Sequence, residues 1–294
     1  MKKTFSLLLT ALLCLSMLTA CSSQSAQQKD SADLPFALVE DGKLLVAMSP
    51  DFAPMEFVDV TKSGQDQYVG FDVSLAQYIA SELGLELVIK PMSFDACMTA
   101  VQTKAVDMAI SGFSYTPERA EKFSLSDYYY AGDNETAQTI IVPADKAGSF
   151  SSLEDFAGMT IGAQGASLQE SLVSEQLQGI AELSVYKTVD DAVLALKTGK
   201  IDGVAVAEGN GKVICANNPD LAMSGFLFEI DEAAENNLIL LNKDAADFTE
   251  AVNGILAKAL EAGLYTQWYD AAMALSLGDS YNEISYDDNG NVIE

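Results

Sequence analysis

The chain has 294 residues, with 16 basic against 43 acidic side chains, a formal net charge of −27 and an apolar share of 49%. So negative a field repels nucleic acid and anionic membrane surfaces, while the apolar share suits a packed globular body. With no histidine anywhere, histidine metal sites, Ser-His-Asp triads and Cys-His dyads are excluded at once.

The chain opens with Lys2 and Lys3, an apolar run from Phe5 to Ala20, and then Leu18-Thr19-Ala20-Cys21. A short basic region, an apolar stretch too short to span comfortably and small residues at a cleavage point read as an export signal over 1–20. Cys21, directly after the small residues, resembles the lipidated cysteine of a bacterial lipobox; a plain signal peptide with a chance cysteine is the alternative. Residues 21–35 are rich in Ser, Gln and Ala and read as a flexible tether. No later apolar stretch approaches ~18 residues, so no membrane span is expected in the mature chain.

Strands and helices then alternate. Leu44–Met48 reads as a strand. Asp72 is placed to cap a helix with the apolar stripe Leu75, Ala76, Ile79, Ala80 and Leu83, and Gly84 to end it. Leu85–Ile89 is a strand, a helix follows Phe94, and Asp107–Ile110 is a strand. The second half repeats the plan: strand Met159–Ala163, helix Ser167–Gln178, strand Leu183–Tyr186, a helix opened by a capping box at Thr188 and Asp191, and strand Asp202–Val206. Leu238–Asn242 is a strand, and helices over Ala245–Leu260 and around Tyr265–Leu275 follow. Asn289-Gly290, between Tyr286 and Val292, is a hairpin signal. Such alternation predicts α/β sheets with parallel strands.

Ala96–Gly112 and Ala192–Glu208 echo each other. Each gives an apolar-faced helix, a turn with Thr and Lys, an Asp (Asp107, Asp202) and a short apolar strand. Two similar lobes explain this better than one continuous domain. Ligands of open α/β sheets lie beyond the carboxyl ends of strands, so Ser111-Gly112 and Ala207-Glu208 would meet across a cleft. Cys97 and Cys215 sit in helix-like apolar patterns and are expected as buried thiols, with a disulfide left open. Neither GxGxxG nor GxxxxGK[ST] occurs, so no nucleotide motif is present.

Six pieces in order resemble the polar amino-acid family of solute-binding proteins of ABC importers, extracellular solute-binding family 3. They are Pro50-Asp51-Phe52-Ala53-Pro54-Met55-Glu56-Phe57, Gly70-Phe71-Asp72-Val73, the run from Ser111 to Arg119, the run from Phe123 to Tyr129, Ile161-Gly162-Ala163-Gln164, and Lys200-Ile201-Asp202-Gly203. The resemblance covers about Leu44 to Ala274. It implies an α/β fold of the periplasmic-binding-protein-like type II: two lobes, two interlobe crossings and a ligand cleft. The first lobe is then expected over 36–137 and 236–275, the second over 138–235, and a tail over 276–294.

The resemblance also implies the site. Arg119 falls where the family binds the ligand carboxylate, and a planar guanidinium can hold both oxygens at once; the plainer reading pairs it with Glu118 or Glu121 on a helix face. Ser114 resembles the hydroxyl five residues before that arginine, and Ser111 and Gly112 supply groups near the ligand amine. Phe52 and Phe94 fall where the family uses aromatic walls. Ser167 would offer its N–H and hydroxyl at a helix start, or serve as a simple N-cap. Gln164 resembles a polar contact from the second lobe. Where the family commonly places an aspartate for the ligand ammonium, this chain has Ala207; Glu208, Asp51 and Glu135 are the acidic candidates left.

The expected function is capture of an amino acid or similar small carboxylate by hinge closure, and delivery to an ABC permease. The protein would be a monomer without cofactor or metal, held by lipid on Cys21 to the outer face of the cell membrane. A dehydratase-like enzyme on the same fold, with Glu208 or Glu135 as acid, and a ligand sensor are the alternatives.

Overall fold

A computed structural model of the protein describes residues 34–129, 137–234, 236–278 and three two-residue strands of the tail. The leader, Cys21 and most of the tether lie outside the described residues, as does Glu135 with the rest of 130–136. Among the described residues no helix is long and apolar enough to cross a membrane.

The first half runs β1 (Lys43–Met48), β2 (Asp51–Phe52), β3 (Glu56–Asp59), β4 (Tyr68–Val69), α1 (Phe71–Leu83), β5 (Glu86–Pro91), α2 (Phe94–Gln102), β6 (Met108–Ser114), α3 (Pro117–Lys122) and β7 (Phe123–Leu125). The chain then enters a second body with β8 (Gln138–Pro143), β9 (Thr160–Gln164), α4 (Leu168–Gln176), β10 (Glu182–Tyr186), α5 (Val189–Lys197), β11 (Gly203–Ala207), α6 (Glu208–Asn217) and β12 (Leu221–Leu227). It returns with β13 (Asn237–Asn242), α7 (Ala246–Glu261) and α8 (Leu264–Ser276), and ends in β14 (Tyr281–Asn282), β15 (Ser285–Tyr286) and β16 (Val292–Ile293).

Each lobe is one sheet between helical layers. The first has strand order β5-β1-β6-β13-β7, and the second β10-β9-β11-β8-β12. β1 is parallel to β5 and β6, and β9 to β10 and β11; the strands that carry the crossings, β13 and β8, run antiparallel to their neighbours. Leu44–Met48 is apolar without alternation because both faces are covered. Leu44, Val46 and Met48 enter the layer with α1, α7 and α8, while Leu45 and Ala47 enter the layer with α2. β8 divides likewise: Ile140 and Val142 pack with α4, and Ile141 with α5 and α6.

The internal echo is a structural repeat down to its hydrogen bonds. Thr103 Oγ1 donates to the carbonyls of Thr99 and Ala100, and Thr198 Oγ1 to those of Leu194 and Ala195. Each helix is left through a positive φ, at Lys104 (59°) and Gly199 (68°). Asp107 then accepts from Leu45 N at 2.7 Å on β1, and Asp202 from Thr160 N at 2.9 Å on β9. Each aspartate thus ties its own strand to the one beside it, which explains the shared Thr-to-Asp spacing.

Asp72 corrects the expected cap. The N-cap of α1 is Gly70, which offers no side chain, and the Asp72 carboxylate turns inward to Gly112 and Tyr129. Gly84 ends the helix in the left-handed conformation, as expected of a C-terminal glycine. In the tail Tyr286 pairs with Val292 in antiparallel register, while the Asn289-Gly290 turn lies outside the described residues. β14 pairs with β3, a contact that nothing in the tail sequence announced. Cys97 and Cys215 are free thiols, the first buried and the second half-buried.

Candidate ligand-binding site

A small cavity lies between the lobes. The first lobe lines it from the ends of β1 and β6, from β2 and β3, and from α2 and α3; the second contributes the end of β9 and the start of α4. Asp51, Phe52, Phe94, Ser111, Gly112, Ser114, Arg119, Gln164 and Ser167 all stand on its wall. Glu208 does not; it opens α6 and faces Lys212 at 3.1 Å.

Arg119 is the single arginine of the chain. Thr116, the N-cap of α3, accepts from Arg119 N at 3.1 Å, and Pro117 fixes the first turn. The side chain is only 5% exposed. Nη1 donates to Ser114 O at 2.6 Å and Nη2 crosses to Ala166 O of the second lobe at 2.9 Å. The stacked rings of Phe94 and Phe113 lie beneath it, 5.6 and 5.4 Å from the guanidinium carbon. Burial pushes its pKa down to about 10, so it stays charged at neutral pH. Among the described residues no carboxylate pairs with it; Glu118 turns to Lys122 at 2.6 Å. A buried cation held by carbonyls and ring faces retains donors for a planar anion.

On the second-lobe wall, Ser167 is the N-cap of α4. Its hydroxyl accepts from Glu170 N at 3.1 Å and donates to Gln164 O at 2.6 Å. Ser167 N also donates to Gln164 O, at 3.3 Å, so the bonds present are those of a cap, at a helix start that stands on the cavity wall. Gln169 donates to Gln138 Oε1 at 2.6 Å. Gln138 is the strand partner of Ala207, so an amide pair sits beside the position where a family aspartate was expected.

Beneath Ser111-Gly112 of β6 lies a buried acid cluster. Ser49 N donates to Ser111 Oγ at 3.0 Å, and Ser111 Oγ donates to Glu56 Oε1. Gly112 N (2.8 Å) and Tyr129 OH (3.1 Å) donate to Asp72 Oδ2. Among the described residues, buried Glu56 Oε2 and Asp72 Oδ1 have no hydrogen-bond partner. Burial first, and the Asp72 charge second, push Glu56 well above the carboxylate range, and burial raises Asp72 to about 7. Gly112 has φ +55°, and a Cβ there would meet Phe52 Cε1 at 2.9 Å, so the glycine lets the phenyl wall lie against the strand.

Sequence reasoning missed Ser49, Glu56, Leu168 and Gln169 as wall residues. Ser49 was findable, because it follows the last residue of β1, where open sheets place their ligands. Leu168 and Gln169 follow Ser167 directly. Glu56 stood in a quoted motif, but nothing local told whether it faced core or cleft.

Residues 44–273 match the bacterial extracellular solute-binding proteins, family 3. The arginine-binding extracellular protein ArtP of Bacillus subtilis (strain 168) is 30% identical over 278 residues, covering 92% of this chain and 98% of that protein. A crystal structure of the amino acid ABC transporter substrate-binding protein AbpA from Streptococcus pneumoniae, bound to L-arginine, matches with a TM-score of 0.74 and 36% identity over 81% of this chain and 97% of that one. An ancestral arginine-binding protein bound to glutamine matches with a TM-score of 0.69 and 28% identity, over 79% and 98%. The two-lobed α/β architecture is the type II periplasmic binding fold, and the family binds solutes rather than transforming them. The chain belongs to the bacterial extracellular solute-binding proteins, family 3.

Proposed function

We propose that this protein is the substrate-binding component of an ABC importer, anchored outside the cell membrane by lipid on Cys21, and that it captures a basic amino acid with L-arginine as first candidate. The observation that carries the reading is Arg119: a buried guanidinium, without a carboxylate partner among the described residues, facing a cavity between two lobes. It clasps the ligand carboxylate through paired N–H donors, with Ser114 and the start of α4 beside it. The other ionisable groups on the wall, Asp51 and Glu56, are buried and hydrogen-bonded to protein groups, so the choice of a basic amino acid rests on the arginine-binding relatives. The lobes close on the ligand, a monomer in this form docks on the permease, and the lipid keeps it near the membrane.

A thermal-shift panel of amino acids tests the reading. A ligand that binds only the folded state raises the melting temperature by mass action, equivalent to roughly 2.7 kcal/mol at a hundredfold excess over Kd. L-arginine is expected to give the largest shift, and Arg119→Ala to abolish it while the unliganded fold stays intact. Loss of the fold in Arg119→Ala would instead make that side chain structural. A larger shift with L-glutamine than with L-arginine would rule out the cationic preference. Incorporation of labelled palmitate, lost in Cys21→Ala, checks the anchor.

A further inference from the structure

Asp51 occupies the cleft in a way that carboxylate capture does not explain. It lies on β2 of the first lobe, where Ser49 Oγ donates to its Oδ1 at 2.7 Å. Its Oδ2 accepts two donors from the second lobe: Gln164 Nε2, at the end of β9, and Val189 N, the first N–H of α5, each at 3.0 Å. The opening N–H groups of a helix lack partners within the helix, and the helix dipole favours a negative charge beside them. Asp51 is 1% exposed, and with three protein donors it needs none from a ligand. Close by, Asn210 Nδ2 of the second lobe donates to Ala53 O at 2.8 Å, and Val213 packs on Ala53 and Phe57. The segment 51–53 is thus gripped by the opposite lobe at two points.

We propose that Asp51 is a positioning residue for ligand capture: its carboxylate clasps the second lobe when the cleft closes, and so slows the release of a ligand that it does not itself bind. The proposal rests on the amino-acid reading of the cleft and adds residence time to it. The three lobe-to-lobe bonds exist only with the lobes together, so they favour the closed form over the open one. A ligand meets the open cleft, where these bonds are absent, and leaves only after they break. Removing the two that Asp51 makes therefore speeds dissociation and leaves association alone. A residue that held the ligand's cationic group directly would act on recognition instead, and its loss would depend on ligand charge.

The test uses the whole mature protein and labelled L-arginine. Dissociation is followed by chase with unlabelled L-arginine, and association is obtained from the same rate and the calorimetric Kd. Asp51→Asn and Asp51→Ser, either of which suffices if the other misfolds, are expected to release L-arginine roughly tenfold faster, the scale of a charge-assisted hydrogen bond. Association should stay within about twofold, a limit set by the open-cleft encounter. Gln164→Ala added to Asp51→Ser should cost at most about twofold more than Asp51→Ser alone, because the short serine leaves Gln164 no acceptor to reach. Unchanged dissociation, a loss expressed in association, or additive losses would each overturn the latch. If the parent protein fails to bind L-arginine, the ligand reading falls separately. Small-angle scattering of the unliganded proteins then decides: a larger radius of gyration in Asp51→Asn supports the latch, and equal radii refute it.

Discussion

Arg119 depends on very local chemistry for its place and on distant chemistry for its freedom. Thr116 and Pro117 start α3 so that the arginine falls on its first turn, pointing back over Ser114. Such signals act within a few residues, yet the sequence reading placed Arg119 from the family motif and not from them. What keeps the guanidinium from a protein carboxylate is Lys122, which takes Glu118, and the ring pair Phe94 and Phe113, which fills the space beneath. The flat ion stacks on those rings and reaches two carbonyls; a lysine ammonium is a point charge that can do neither in the same geometry. Arg119→Lys is therefore expected to weaken L-arginine binding by roughly 2 kcal/mol, about thirtyfold in Kd. Isothermal titration measures it. A lysine variant that binds within twofold of the parent would show that one positive charge suffices and that the fork has no part in the clasp.

Among the elements, those read most accurately are those whose signals are short in range. Thr188 Oγ1 accepts from Asp191 N at 2.9 Å, and Ser167 caps α4, both from three-residue patterns. The start of α1 was misread because its reason lies elsewhere in the chain. Gly70 adopts φ +128°, and a Cβ on it would stand 2.3 Å from Met55 O. The carbonyls of Pro54 and Met55 accept from Phe71 N and Asp72 N, so the helix is capped by backbone from the turn between β2 and β3. Asp72 is thereby released from capping and joins Glu56 beneath the cavity, a pairing that no sequence window could reveal. Gly70→Ala must break this close approach as well as the backbone conformation, and is expected to destabilise by at least about 2 kcal/mol. Urea unfolding gives the value. A loss under about 0.5 kcal/mol, the range of an ordinary surface change, would mean that the turn relaxes freely and that backbone capping by Pro54 and Met55 is unimportant.

At the scale of the whole molecule, the sequence disclosed two lobes through their echo, but not that the lobes would meet with carboxylates buried between and behind them. The bonds concerned join residues as far apart as Asp51 and Val189, and only the assembled sheets bring these together. The buried acids make a measurable demand on pH. Asp51 is raised to about 6 and Asp72 to about 7, each mainly by burial, and burial raises Glu56 well above its usual value. An unfolded chain releases these protons near pH 4, so between pH 4 and 7 the folded protein binds more protons than the unfolded one. Stability from these groups is complete at the acidic end and is lost as pH rises through 6 and 7. The carboxylates held low, Glu40, Asp59, Glu118 and Asp155, act in the opposite sense only below about pH 4 to 5 and do not enter this window. The melting temperature of the unliganded protein should therefore climb as pH falls from 8 to 5. Relief of the −27 net charge pushes the same way, so the slope alone does not identify its source. Asp72→Asn separates the two: it leaves the global charge almost unchanged but removes one of the buried carboxyls, and should flatten the curve between pH 5 and 7. Equal slopes in parent and variant would assign the effect to surface repulsion and would deny that burial holds a proton on Asp72 in this range.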